Sequence, residues 1–363
     1  MSASQSGIYH ETYADDMQVR PTTMQRLRIG LILVVLILIP FVLGEGEMRL
    51  INRVLIAAIG AIGLNVLTGF TGQISLGQGA FLAIGAYGTG LLMVYTGAPW
   101  TVALLAGALI TALIGGVFGL PSLRLKGLYL AVATLAAQQI VEWIIIRWDP
   151  IDGKIDGRAT DALNIPANYL FGNQAWSLNS SEYAFYFVGV VLLIAVVIGV
   201  TNLFRSHIGR AFIAIRDQDI AAEVMGVNVF YYKVLAFSFS SFLVGLAGGL
   251  LALHSTAISF ERFTFEVSIE YLAMIIIGGM GSISGSIYGA AFVVVLPDLL
   301  RSLGRTIAGT DPEAIREFNR ILPFAQQGVF GAAIVITLIL ESEGIQRIWR
   351  NVKDYFRLWP FSY

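Results

Sequence analysis

Long uncharged runs separated by short charged ones set the rhythm of this chain. Runs of about 20 apolar residues match a hydrocarbon core about 30 Å thick, and they recur at residues 27–44, 50–70, 73–95, 100–120, 127–148 and 183–204. A charged, helix-compatible stretch follows, IGRAFIAIRDQDIAAEVMGV at 208–227, before the apolar run 232–254. Segment 270–300 is too long for one span, and its middle, GGMGSISGSIYGA at 278–290, is dense in glycine. It predicts two shorter or broken elements with a turn near 282–286. A last run covers 324–340. The pattern predicts an all-α polytopic membrane protein of roughly ten transmembrane helices, some of them glycine-broken.

Basic residues accumulate in cytoplasmic loops, and this orients the spans. Arg26 and Arg28 ahead of the first run place the N-terminus inside. Alternation then puts Arg124 and Lys126 inside, connection 149–182 outside, and Arg205 inside. Arg347, Arg350, Lys353 and Arg357 draw the C-terminus inside as well, so both termini are expected in the cytoplasm. The arginines of 301–320 argue for the opposite placement of that loop. The expected organisation is an N-terminal cytoplasmic tail (1–26), a transmembrane domain (27–341) with a cytoplasmic loop at 205–230, and a C-terminal tail (342–363). In that loop Asp217 is placed to cap a helix whose first turn holds Asp219, and Gly226 stands where a left-handed stop would fall. The loop reads either as a docking surface on one face of the protein or as a solvated helix without a partner.

Composition narrows the class. With 56% hydrophobic and 13% charged residues among 363, the chain has more apolar surface than a soluble fold of this size buries. A net charge of -1, with basic residues spread through loops, gives no reason to expect nucleic acid. The absence of cysteine excludes disulfides, thiolate nucleophiles and Cys-based metal sites. His10, His207 and His254 fall in a tail, a loop and a helix end, so no metal cluster is expected. There is neither a phosphate-cradling glycine loop with its lysine nor a serine nucleophile elbow. The expectation is a non-enzyme without cofactor; if ATP drives it, another chain binds the nucleotide.

Glycines and buried polar residues supply the candidate chemistry. The stretch GFTGQISLGQGAFLAIGAYGTG at 69–90 implies either helices in backbone contact or an interrupted helix. Gly278, Gly279, Gly281, Gly285 and Gly289 repeat the style, the last three spaced by four as one smooth helix face. Gly72-Gln73-Ile74-Ser75 is echoed by Gly281-Ser282-Ile283-Ser284, a hint of an internal repeat. Paired glycine-broken spans mark the substrate path in many transporters; close packing without substrate contact is the other reading. Asn65, Gln73, Ser75 and Gln78 are pathway candidates or, equally, interhelical hydrogen-bonding groups. Gln138 and Glu142, one turn apart, make a polar stripe on the fifth span. A charge at the bilayer centre costs about 2.5–3.5 kcal/mol on insertion scales, so Glu142 either serves the pathway or anchors the outer headgroup region near Arg147 and Trp148.

Four segments carry a resemblance: LNVLTGFTGQISLGQGAFLAIGAYG (64–88), LKGLYLAVATLAAQQIVE (125–142), GRAFIAIRDQDIAAEVMGVNVFYYKVLAFSFSSFLVGLAGGL (209–250) and GGMGSISGSIYGA. They resemble the LivM-type permease subunits of ABC importers for branched-chain amino acids. The resemblance implies that Arg210, Arg216, Glu223 and Gly226, with Asp217 between them, belong to a coupling loop that docks on an ATPase. It also implies a homologous LivH-type permease, two ATPase subunits, a periplasmic or extracellular substrate-binding protein, and a place in the lipid of a bacterial cytoplasmic (inner) membrane. The chain departs from the family pattern at Ser286, where proline is usual, at IDGRATDALNIP after the fifth span, and at ESEGI (341–345), where the family ends in Pro-Gly-Leu. Related permeases carry urea or short amides, which leaves such cargo as the alternative. A stand-alone secondary transporter or channel is disfavoured by the scarcity of charges at membrane depth.

Overall fold

In the computed structural model, residues 23–123, 125, 127–147, 163–165, 181–255, 257–308, 312–340, 344–347 and 351 are described. Arg124, Lys126, most of connection 149–182, Arg350, Lys353, Arg357 and the first 22 residues, all used above for orientation, lie outside them. Two compact units are distinguished, Met1–Met48 and Arg49–Tyr363. The described part of the first carries α1 (Thr23–Val42), a 20-residue helix that matches the first apolar run. Its Leu31, Val34, Leu38 and Phe41 are exposed.

The larger unit is helical. α2 (Glu45–Asn65, which begins in the first unit) continues into a π-helical turn, Val66–Phe70. It is followed by α3 (Gln78–Thr96), α4 (Trp100–Gly119), α5 (Leu128–Arg147) and α6 (Glu182–Arg205). Then come two short helices, α7 (His207–Asp217) and α8 (Asp219–Val224), and the long α9 (Val229–His254). α10 (Phe265–Gly278), α11 (Ile283–Ala308) and α12 (Pro312–Leu340) complete the order. A two-residue antiparallel pairing, β1 (Leu163–Asn164) with β2 (Ala257–Ile258), joins the connection after α5 to the one after α9.

Local chemistry sets the boundaries. Ser181, Ser206 and Asn228 cap α6, α7 and α9, each side-chain oxygen accepting a backbone N–H of the first turn. Pro99 immediately precedes α4, where its missing donor costs nothing. Among the described residues, eight helices are long and apolar enough to cross a membrane: α2 with its π turn, α3, α4, α5, α6, α9, α11 and α12. α10 is not one of them, since 14 residues rise only about 21 Å. The fold is therefore polytopic and all-α apart from the short strand pair; the apolar pattern predicts roughly ten spans, and eight are found among the described residues, with α10 a half-length element beside them.

α3, α4 and α9 form the centre of the core. They approach to backbone contact: a Cβ on Gly85 would overlap the carbonyl of Gly245, and one on Gly248 that of Leu82. On the other side of α4, Leu105, Leu109, Leu113 and Val117 form an exposed row at helical spacing. That arrangement, small residues inward and large aliphatics outward, suits a helix facing lipid.

The contacts also sort the helix ends. Arg49 and Asn52 at the start of α2, Glu182 at the start of α6 and His254 at the end of α9 meet at one end of the bundle. Arg53 reaches Asp298 of α11 at 3.2 Å near the same end. The end of α2, α7 and the turn between α10 and α11 meet at the other. Gly344 packs against Ile277 and Gly279, and Ser284 donates to Gln346 at 2.8 Å, so the chain after α12 returns to the end that carries α7.

Candidate functional site

Two helix interruptions face each other. The first separates α2 from α3: the apolar run predicted from residue 73 is helical only from Gln78, and Gln73 to Gly77 is unwound. Gly72 turns the chain with φ 70°, a conformation that favours glycine. Backbone groups exposed by unwinding at membrane depth must find partners, because each unsatisfied one costs several kcal/mol. Gln73 N donates to Leu67 O (3.1 Å), Thr68 Oγ1 to Gln73 O (3.2 Å), and Leu76 N to Thr134 Oγ1 of α5 (2.9 Å). Ser75 Oγ accepts from Gly77 N at 3.3 Å. Gln78 opens α3 and sends its Nε2 back to Gly60 O of α2 at 3.0 Å. Gln73 Nε2 donates to Thr71 Oγ1 (3.3 Å), while its Oε1 is buried without a hydrogen-bond partner.

The second interruption lies between α10 and α11, at 279–282 rather than at the expected 282–286. Gly279 (φ 122°) and Gly281 (φ 76°) make the turn. The three glycines at four-residue spacing therefore do not share a helix face: Gly281 belongs to the turn, because α11 begins only at Ile283. Gly285 and Gly289 do lie on α11, against Gly278 and the Met274 carbonyl of the antiparallel α10, where a Cβ would overlap backbone.

Asn65 ties the two interruptions together. It is 1% exposed, at the last turn of α2. Its Nδ2 donates to Ser286 Oγ at 2.7 Å and Ser282 O at 2.9 Å, and its Oδ1 accepts from Gly281 N at 2.8 Å. Ser286, the position where proline is usual in the resembling family, in turn donates to Ser282 O at 3.2 Å. A proline there could neither accept from Asn65 nor keep the Ser286 N to Ser282 O bond of 3.1 Å.

A third polar relay sits at the start of α3. Ser268 of α10 accepts from Gly79 N at 2.8 Å and donates to Gln138 Oε1 at 2.6 Å, while Gln138 Nε2 donates to Phe263 O at 3.3 Å. Ser268 thereby caps α3 from another helix. Gln138 is buried, but Glu142 one turn on is half-buried and outside this relay, and Gln139 faces outward. Ser268, Thr134 and Thr68 escaped sequence reasoning because an isolated hydroxyl in an apolar run looks the same whether it packs or caps.

The charged loop forms two helices rather than one. Asp217 is the last residue of α7, not the N-cap of the next helix; Gln218 takes that place with no side-chain cap, and Asp217 instead pairs with Arg216 at 3.0 Å. The extended backbone of Gln218 (φ -162°) forces the break, which leaves Asp217 facing back along α7. Gly226 does carry a positive φ, 86°, after α8. Arg210 donates to Arg205 O at 3.2 Å; Glu223 is exposed beside Ile220, Val224 and Met225, three apolar side chains also left exposed. Arg216 is partly exposed, but its Nη1 reaches in to donate to Gly69 O at 3.3 Å, and its side chain lies against Gly72 and Gly281.

At the opposite end Glu182 gathers charge. It accepts from Arg49 Nε and Asn52 Nδ2, each at 2.9 Å, and its Oε2 lies 2.9 Å from His254 Nε2. No spacing in the sequence announces this cluster, since the partners lie 72 to 133 positions from Glu182.

Among the described residues, eight apolar spans and two facing glycine breaks fit a polytopic membrane protein of transport type. The chain belongs to the family described as branched-chain amino acid transport system / permease component, whose model matches residues 48–338. It is 34% identical over 300 residues to the high-affinity branched-chain amino acid transport system permease protein LivM of Salmonella typhimurium, covering 77% of this chain and 69% of that protein. LivM of Escherichia coli is 33% identical over the same shares. The fructose import permease protein FrcC of Rhizobium meliloti is 29% identical, with 78% and 79% covered.

Proposed function

We propose that this chain is the transmembrane permease subunit of an ATP-driven importer that carries branched-chain or related hydrophobic amino acids into the cytoplasm across a bacterial inner membrane. The observation that carries the reading is the match to LivM over 77% of the chain, together with the family match at residues 48–338, which spans both interruptions and the charged helices. In this reading α7 and α8, within loop 205–230 of a permease domain at 27–341, dock on two ATPase subunits through Arg210, Glu223 and the exposed Ile220, Val224 and Met225. The end of the bundle that carries α7 is cytoplasmic, and so is the chain after α12. A LivH-type permease completes the pathway, and a soluble binding protein delivers cargo to the end that carries Glu182. Asn65, Ser75, Gln78 and Gln138 shape the unwound segments, and Gln73, with an unused acceptor, is the side chain best placed to meet polar cargo. A second reading, import of a sugar, is favoured by the likeness to FrcC.

The test is ATP-dependent uptake of labelled leucine into proteoliposomes holding the copurified complex and its binding protein. Excess isoleucine or valine is expected to suppress uptake at least tenfold, and excess urea or fructose to leave it unchanged. Fructose-sensitive or absent leucine uptake in a complex that hydrolyses ATP would transfer the cargo assignment and leave the importer architecture standing. Failure to copurify any ATPase would remove that architecture.

A further inference from the structure

Arg216 stands on α7, the longer of the two helices assigned above to ATPase docking; its side chain is 40% exposed, yet its Nη1 reaches into the bundle. Its Nη1 donates to Gly69 O in the π turn that ends α2. Gly69 is where the two interruptions touch, since a Cβ there would overlap Gly281 N. The stem of Arg216 covers Gly72: a Cβ on that glycine would lie 3.2 Å from Arg216 Cγ and 3.4 Å from its Cα. A Cβ on Gly281 would lie 3.4 Å from Arg216 Nη1. Gly72 (φ 70°) is the positive-φ residue of the first break and Gly281 (φ 76°) one of two, with Gly279, at the second; Gly72 and Gly281 head the echoed tetrads. One side chain from the charged loop therefore touches a turning residue of each broken span and a carbonyl of the π turn. Asp217 holds the outer side of the same guanidinium through Nε and Nη2, at 3.1 and 3.0 Å, so the fork is fixed from both sides.

We infer that Arg216 is a transmission strut: it does not grip the ATPase, but converts displacement of α7 into a coordinated change at both helix breaks. The inference rests on the importer reading and adds to it a mechanical role for one residue. A π turn and positive-φ glycines are the compliant points of the two spans, whereas the helices around them are packed at backbone distance and move as rigid pieces. A push on α7 reaches both compliant points through a single rigid guanidinium. Lysine keeps the stem over Gly72 and one donor for Gly69 O but loses the fork that binds Asp217.

The experiment compares wild type, Arg216→Ala and Arg216→Lys in the full reconstituted complex. It reads copurification of ATPase subunits and the ratio of solute imported to ATP hydrolysed. For Arg216→Ala the ATPase is expected to copurify as in wild type, while the transport ratio falls at least tenfold; Arg216→Lys is expected to lie two- to threefold below wild type. A transport ratio for Arg216→Ala within twofold of wild type overturns the strut. Loss of ATPase copurification from Arg216→Ala overturns it too, because the residue is then a docking contact. Should the alanine variant fail to fold, Arg216→Lys decides: a ratio lowered two- to threefold in an assembled complex supports the strut, and an unchanged ratio removes it. An inactive wild-type complex would remove the importer reading and the strut with it, whereas an active wild type beside an equally active Arg216→Ala removes the strut alone.

Discussion

The two ends of the bundle are held by different chemistry. At one end Glu182 gathers Arg49, Asn52 and His254 from α2 and α9, binding three helices through a carboxylate. At the other, Asn65 joins α2 to the α10–α11 turn through neutral bonds to Gly281 N, Ser282 O and Ser286 Oγ. A carboxylate that draws three partners from two other helices makes a strong, centred clamp, and losing it leaves Arg49, Asn52 and His254 without their shared acceptor. An amide that bonds mostly to backbone holds a turn in shape without charge, so several small rearrangements are open to it. The neutral end carries the π turn and the positive-φ glycines of the two breaks, Gly72, Gly279 and Gly281. Rigidity thus sits at the Glu182 end and compliance beside α7, as an importer driven from the α7 side requires.

Mutations that remove one clamp at a time test the contrast. Glu182→Ala carries the largest expected effect, a loss of about 3 kcal/mol, since it strips partners from a largely buried carboxylate. The denaturation midpoint of the detergent-solubilised protein measures it, and a loss under about 1 kcal/mol would erase the distinction. Asn65→Ala is expected to cost about 2 kcal/mol by leaving Gly281 N without its acceptor and removing the donor to Ser286 Oγ. Because no charge is involved, that loss should be the same at low and high salt; a strong salt dependence would mean that the neutral end is held electrostatically after all. The smallest effect belongs to Arg49→Ala, below about 1 kcal/mol, because the Arg49 side chain is 63% exposed and its pairing competes with water. A midpoint shift matching that of Glu182→Ala would make Arg49, rather than the carboxylate, the centre of the cluster.

Much of the architecture was legible in the apolar runs. The run 100–120 became Trp100–Gly119 and 183–204 became Glu182–Arg205, because span length is a property of each segment against the bilayer. Glycine density foretold both interruptions, and Gly226 marked a left-handed turn. Asn65, Gln73, Ser75, Gln78 and Gln138 emerged as buried polar residues at or beside breaks, since a buried polar group in an apolar run needs a partner wherever the chain goes. The partners themselves were not legible. Asn65 finds Ser286 across 221 positions and Gln138 finds Ser268 across 130, and no local pattern records such a meeting.

The sequence by itself determined which stretches are apolar enough to lie in lipid, that glycine-rich ones are open to breaks and which family the chain resembles, because hydropathy, glycine conformation and motif are local properties. Only the tertiary structure decided where the breaks fall and that they face each other, that Glu142 stands apart from the Gln138 relay, that Asp217 ends a helix instead of starting one, and that Arg216 reaches Gly69 O. Those outcomes depend on which helix packs against which, and the direction of a single side chain is settled by the carbonyl or carboxylate that happens to lie within its reach.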